Sequence, residues 1–275
     1  MESQIFHIFR NTPLGRETLL QTSYFSESIG CQPIVYIPEY TKFLFYFEND
    51  VVQVDLDQSY LSYPETAMDH AEKIVNQFGL TPVFFTPKNF TASTLPDVPT
   101  DFDYMCCPRS VSDLSQKIGL GYIGPRVRRI VSSARFPVLI TSSAYKEWNS
   151  IITFFGGSEN AVNALKLSLH LQRLSNKPLD VFTHIENKTI DYYEAAIEKH
   201  GLTNEFNSQV RTWIQNNTKS FEEKLYDIPH DALVVLGAYG HGLIRDLVFG
   251  NTMEIVQSIL CNNLLIVGPK YKIMR

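Results

Sequence analysis

Residues 232–236, Ala-Leu-Val-Val-Leu, are apolar at every position and run straight into a glycine, and no other stretch restricts the chain so much. A strand that alternates apolar and polar residues buries one face. One that is apolar throughout buries both, as a central strand of a parallel sheet does beneath helices on either side. The surrounding sequence keeps to that plan. Residues 151–155, 179–185, 209–214 and 264–267 read as further strands, with helical patterns between them. Val162, Leu165 and Leu169 fall on one face of a helix that Ser158 can cap, and a helix around Tyr192 to His200 is stopped by Gly201. Ser220 and Glu223 stand at capping-box spacing before a short helix, and Met253, Val256 and Leu260 keep helical spacing before the last strand. The second half is thus predicted to hold five strands and four crossovers.

The first half repeats the plan less faithfully. Residues 6–9, 33–37, 82–85, 103–106 and 136–140 read as strands, and residues 16–29 and 65–78 as helices. Residues 43–47 and 51–55 flank Asn49 and Asp50 and predict an inserted hairpin. Phe43, Phe45 and Phe47 alternate with Leu44 and Tyr46, so both hairpin faces are apolar; they pack on the sheet or form a patch for a partner. Residues 86–100, rich in Pro, Thr, Ser and Asn, read as a loop. The ends of the two halves match, 133–140 against 259–266, each closing a helix into a short apolar strand. A duplicated domain follows, with one unit over 1–143, a second over 147–275, and a polar junction at 141–149.

Composition removes several function classes. The chain has 275 residues, 19% of them charged, and a formal net charge of -5. Binding to nucleic acid or to an anionic membrane needs clustered Lys and Arg, and that balance argues against both. The first residues lack the basic start and apolar core of a secretory signal, and no stretch approaches the ~20 apolar residues of a spanning helix. The expected location is cytoplasmic. Four cysteines, with Cys106 and Cys107 adjacent and Cys31 and Cys261 solitary, form neither a disulfide framework nor a zinc spacing. They are expected to be reduced and mostly buried, the alternative being a vicinal redox pair at Cys106 and Cys107. Arg126, Arg128 and Arg129 form a basic cluster on a predicted helix, either a solvated face or a grip for an acidic partner or phosphate.

The segment that carries chemistry runs from Gly237 to Thr252, between the buried strand and a helix. Gly237 and Gly240 let the backbone turn tightly and approach a ligand without Cβ atoms in the way. Gly250, Asn251 and Thr252 stand at the helix start, where unpaired amides and the helix dipole favour an anion. Arg245, beside Asp246, is a further phosphate candidate. Leu243 follows Gly242 where a Walker loop has Lys, and the spacing G-x-G-x-x-G does not occur here, so neither a P-loop nor a Rossmann fingerprint is present. His241 has no partner acid in the sequence that would make it catalytic.

The spacing Gly-x2-Gly-x9-Gly followed by a small polar residue, here Gly237, Gly240, Gly250 and Asn251, resembles the nucleotide-binding motif of the universal stress proteins. Residues 155–160, Phe-Gly-Gly-Ser-Glu-Asn, look like that family's first strand-to-helix turn, and His184 with Ile185 like the end of its second strand. The resemblance implies two flavodoxin-like (adenine nucleotide alpha hydrolase-like) α/β domains, each a five-stranded mostly parallel sheet flanked by helices, packed as an intramolecular pseudo-dimer with their final strands at the interface. By matched position it assigns Gly156 and Ile185 to an adenine base, Gly237 and Gly240 to the loop, and Gly250, Asn251 and Thr252 to the phosphates. Gly156 replaces the Asp usual in the family, and Asn251 its Ser or Thr. The first half resembles the family through residues 121–126, Gly-Tyr-Ile-Gly-Pro-Arg, and 137–140. Val111 and Leu114 stand where its loop glycines belong, and Pro125 offers no amide hydrogen.

The implied function is stress-response regulation by a non-catalytic protein that binds ATP or a related adenine nucleotide, with or without magnesium, in its second half. Two alternatives stay open: a ligand-free interaction module of the same fold, and a slow adenine-nucleotide hydrolase, for which no metal or carboxylate constellation is evident. A homodimer and an unidentified protein partner are also open.

Overall fold

The computed structural model describes residues 2–48, 50–56, 64–91, 95–109, 123–185, 188–217, 221–238 and 260–271. In the first half the elements are β1 (Gln4–Ile8), α1 (Pro13–Ile29), β2 (Gln32–Tyr36), β3 (Lys42–Phe47), β4 (Asp50–Asp55), α2 (Pro64–Asn76), β5 (Val83–Phe85), β6 (Phe90–Thr91), β7 (Leu95–Val98), β8 (Tyr104–Cys107), α3 (Pro125–Ser133) and β9 (Val138–Ile140). In the second they are β10 (Ser150–Phe154), α4 (Glu159–Ser175), β11 (Leu179–His184), α5 (Ile190–Lys199), α6 (Thr203–Gln209), β12 (Val210–Asn216), α7 (Phe221–Leu225), β13 (Ala232–Gly237) and β14 (Leu264–Val267).

One sheet runs through both halves in the order β12-β11-β10-β13-β14-β9-β8-β1-β2-β5. Within each half every neighbouring pair is parallel. The junction alone is antiparallel, β14 on β9, with Leu264 opposite Ile140 and Ile266 opposite Val138. The final strands therefore pair across the junction of the two halves, as the family resemblance implies. β13 is buried at all six positions, as its unbroken apolar run requires.

Period-two alternation sorts the core into layers. Ile5 packs with Tyr24, Phe25 and Ile29 of α1, in the layer that α4 continues over β10 and β13 through Val162, Leu165 and Leu169. Phe6 and Ile8 face the other way, toward Phe43, Phe45 and Phe47. α1 starts where Thr12 accepts the Gly15 amide at 3.0 Å with Pro13 at the first helical position, and stops at Gly30, left-handed at φ +67°. α4 starts on Ser158, whose hydroxyl accepts the Ala161 amide at 3.2 Å, so the predicted cap forms.

Two features depart from the sequence reading. Residues 86–100 are not merely a loop. β7 joins β3 in parallel, Phe45 opposite Val98, and β6 joins β7, giving a second sheet in the order β4-β3-β7-β6. The turn-rich composition hid these strands because their pairing comes from the edge of the hairpin, a tertiary contact that outweighs local propensity. α6 is the second addition: a seven-residue helix after Gly201 with a single buried residue, Phe206, too few to register as periodicity.

The hairpin lies on the large sheet. Phe45 meets Phe6 edge-on at 5.9 Å, and Phe43 meets Tyr36 edge-on at 5.4 Å. Packing thus claims the phenylalanines, whereas Tyr46 on the opposite face is 38% exposed. The basic cluster of α3 is claimed as well. Arg126 pairs with Asp55, and Arg129 makes a two-pronged contact with Asp50 at 2.7 and 3.2 Å. The hydrogen bonds from Arg129, and next from Ser133, hold the Asp50 carboxyl well below the usual carboxylate range. These arginines therefore fasten the insertion to the helix beside it.

Cys31, Cys106 and Cys107 are buried and free and Cys261 is free and exposed, in line with mostly buried thiols. Burial pushes the Cys106 thiol up to about 12 and Cys107 well above its ordinary value. Since the thiolate is the reactive form, this does not suit a redox pair. Among the described residues no helix is long and apolar enough to cross a membrane, and no group of three His, Cys, Asp or Glu is placed to hold a metal ion.

Candidate functional site

In an open parallel sheet the loops at the carboxyl ends of the strands form a crevice where the strand order reverses. In the second half, β10 is followed by β11 on one side and β13 lies on its other side, so the reversal falls between β10 and β13. Register fixes what meets there. Phe154 lies opposite Leu236 on one flank and Phe182 on the other, so the three chains leave the sheet at one level.

Gly156, Ile185 and Gly237, three of the predicted site residues, come together at that edge. Gly156 follows β10 after the buried Phe155 and is half-buried. Ile185 follows β11, half-buried, its amide donating to the Asn216 carbonyl at 2.8 Å. Gly237 ends β13 opposite Val267 of β14. Gly240, Arg245, Gly250, Asn251 and Thr252 lie outside the described residues, as do His241 and the predicted helix positions Met253 and Val256.

Packing accounts for two of the glycines here. A Cβ on Gly237 would stand 2.4 Å from the Asn160 carbonyl oxygen and 2.8 Å from the Ala161 nitrogen. β13 can therefore end beside the first turn of α4 only as glycine. Gly157 is left-handed at φ +73°, and a Cβ there would meet Tyr192 at 2.7 Å. The bend from β10 into α4 thus needs glycine for its backbone and for its contact with α5.

Asn160, which closes the matched turn at 155–160 but was given no role, ties the edge together. Its side-chain amide donates to the Ala238 carbonyl at 2.5 Å, binding the first turn of α4 to the residue after β13. Its position three residues after Gly157, in the first turn of α4, was the available signal. His184 is a strand-end residue as expected: Nδ1 lies 2.9 Å from the Asn216 side-chain amide, and its carbonyl accepts the Tyr193 hydroxyl at 3.3 Å. Glu159, the acid nearest the turn, leans toward α5, 3.6 Å from Lys199 and 3.3 Å from His200.

Phe155 is fully buried beneath this edge, and Gly156 and Ile185, both half-buried, are reached from the side where α4 starts. Residues 239–259, to which the resemblance assigns the phosphates, lie outside the described residues.

The corresponding edge of the first half is built differently. Gly124 caps α3 without a side-chain bond, its own amide donating to the Arg109 carbonyl at 2.7 Å, and Pro125 takes the first helical position. Val111, Leu114 and Gly121 lie outside the described residues. Asp55 of the inserted hairpin reaches Arg126 in that first turn, so a carboxylate of the chain itself sits beside the start of α3.

No protein-family model matches the chain. Over 190 residues it is 24% identical to the universal stress protein Slr1230 of Synechocystis sp., a match that covers 66% of this chain and 64% of that protein. The structure superposes on a universal stress protein from Archaeoglobus fulgidus with a TM-score of 0.62, at 13% identity and 96% coverage of both chains. A putative universal stress protein from Pseudomonas aeruginosa gives 0.56, at 11% identity over 98% of this chain and 94% of that one. Likeness at such low identity speaks to fold alone. The chain is similar to the universal stress proteins in sequence and shares their fold, whose five-stranded parallel unit it contains twice.

Proposed function

We propose that the chain is a non-catalytic regulatory protein of cytoplasmic stress responses that holds ATP or a related adenine nucleotide in its second half, residues 147–275. The first half, residues 1–143, is its structural partner. One observation carries the reading. Gly156, Ile185 and Gly237 follow or end β10, β11 and β13 at one edge of the sheet, next to the point where strand order reverses. The base lies against Gly156 and Ile185, the ribose over Gly237 and Gly240, and the phosphates against Gly250, Asn251, Thr252 and Arg245. The likeness to a curated universal stress protein supports the regulatory role, and its partial span leaves stimulus and partner to experiment.

A ligand-free module of the same fold is favoured by a different observation: α4 requires glycine at 237 whether or not a ligand is present. Denaturing freshly purified protein and identifying the small molecules released separates these readings. Near-stoichiometric ATP supports the proposal. AMP or ADP with measurable turnover shows a hydrolase, and an empty site, with no uptake of added ATP, shows the ligand-free module.

A further inference from the structure

A cavity of about 300 Å³ opens where the two halves meet, on the side of the sheet that carries α1 and α4. Tyr104, at the start of β8, reaches it from the first half, and Lys166, His170 and Arg173 of α4 from the second. Tyr271, beyond β14, and Glu205 of α6 complete the polar lining, while Leu167 and Leu202 form apolar walls. A cavity of that volume at a junction between units suits a compact ligand.

Tyr104 points to a ligand by its own state. The residue is 2% exposed, its ring is held edge-on against Phe25 at 5.4 Å, and its hydroxyl makes no hydrogen bond among the described residues. Buried hydroxyls are normally bonded, so an open one at a cavity wall calls for a partner from outside the chain. Charge decides the sign of that partner. Lys166, His170 and Arg173 recur at helical spacing on one face of α4. Glu205, the acid of the lining, is answered by Arg173 at 3.5 Å, and Lys166 has no acidic partner among the described residues. The cations thus outnumber the acid even with His170 neutral. Partial desolvation, and next the Arg173 charge, lower the His170 pKa, with no acid acting the other way, so the positive sign prevails at that ring. Burial pushes the Tyr104 phenol well above its ordinary value and that of Tyr271 up to about 12, so both stay neutral and able to donate. Ammonium, guanidinium and phenol donors from separate elements match the three terminal oxygens of a phosphate better than the two coplanar oxygens of a carboxylate.

We propose that this cavity binds a compact phosphomonoester, with the phosphate at Lys166, Arg173 and the Tyr104 hydroxyl and the organic body between Leu167 and Leu202. The site is independent of the nucleotide crevice. Calorimetric titration of the full chain with phenyl phosphate, benzoate and benzylamine tests it. Phenyl phosphate is expected to bind at least about tenfold more tightly than either of the others. Lys166→Gln removes a charge, and Tyr104→Phe removes only the open hydroxyl; each weakens phenyl phosphate by about tenfold. Glu205→Gln, which frees Arg173, does not weaken it. Gly240→Val, which alters the nucleotide crevice, leaves the titration unchanged. Absence of binding, equal or tighter binding of benzoate or benzylamine, indifference to both Lys166→Gln and Tyr104→Phe, weaker binding in Glu205→Gln, or loss of binding in Gly240→Val would each overturn the proposal.

Discussion

Single residues at the candidate site answer to packing first and to a ligand second, and substitutions can tell the two apart. At Gly237 the crowding comes from backbone atoms of α4, which cannot swing aside. Gly237→Ala is therefore expected to destabilise the protein by about 1–3 kcal/mol with no nucleotide present, read as a lower urea midpoint. An unchanged midpoint would mean that α4 gives way. His7 makes a second residue-scale prediction. It is fully buried on β1, bonded through Nδ1 to the Thr22 hydroxyl at 2.8 Å, with Nε2 unpartnered, and burial lowers its pKa to about 3. The folded state thus disfavours the imidazolium that the unfolded chain forms below its ordinary value of 6.5. The contribution of His7 is complete above pH 6.5 and is lost as pH falls toward 3, with a slope approaching about 1.4 kcal/mol per pH unit. Urea midpoints between pH 7 and 5 should fall for the parent and fall less steeply for His7→Gln; parallel slopes would contradict the assignment.

Elements were legible in the sequence in proportion to how locally their signals are written. The unbroken apolar run of β13, the Ser158 cap of α4 and the left-handed stop at Gly201 are each set by a few adjacent residues, and all three form as read. The duplication was legible because both halves end alike, and the pairing of β9 with β14 followed from the family resemblance. β6 and β7 were not, since Pro96 and the surrounding turn residues disfavour a strand until β3 offers an edge. Nor was the use of Arg126 and Arg129, because their partners Asp55 and Asp50 lie 71 and 79 residues away in the chain. At the candidate site, the resemblance singled out Gly156, Ile185 and Gly237, which lie at one edge of the sheet, whereas the bond from Asn160 to the Ala238 carbonyl was not legible, for a helix-start amide carries no mark of the carbonyl it will meet. The insertion makes its own predictions. Phe45, 1% exposed and packed on Phe6, should cost about 3–5 kcal/mol when truncated to alanine, measured by urea unfolding. Asp50→Asn removes the charge that Arg129 and Ser133 hold, so residues 42–55 should exchange amide hydrogens faster while β10–β13 keep their protection; uniform change across the chain would place the defect elsewhere.

The molecule as a whole is organised by the antiparallel seam between β14 and β9, which joins two parallel units into one ten-stranded sheet. α1 and the second half add to it. Lys177 donates to the Tyr24 hydroxyl and the Trp148 carbonyl, both at 2.8 Å, and its ammonium lies 4.7 Å from the centre of the Trp148 ring. Separating the units would leave β14 as an unpaired, fully buried-type strand edge, which proteins seldom leave open. Residues 147–275 alone are accordingly expected to self-associate on size-exclusion chromatography; a stable monomer would show that the seam is dispensable. The seam also explains how the first half can lack the glycine spacing and still be required: it supplies the neighbour that holds β14, and β14 holds β13 with its glycine at the crevice. The crevice is the centre of the functional reading, and titration with labelled ATP, comparing the parent chain with Gly240→Val, addresses it most directly. Saturable binding by the parent and its loss in the variant, with unaltered urea midpoints, is the predicted result. Equal binding by both proteins would contradict the assigned site, and no binding by the parent would contradict the nucleotide itself.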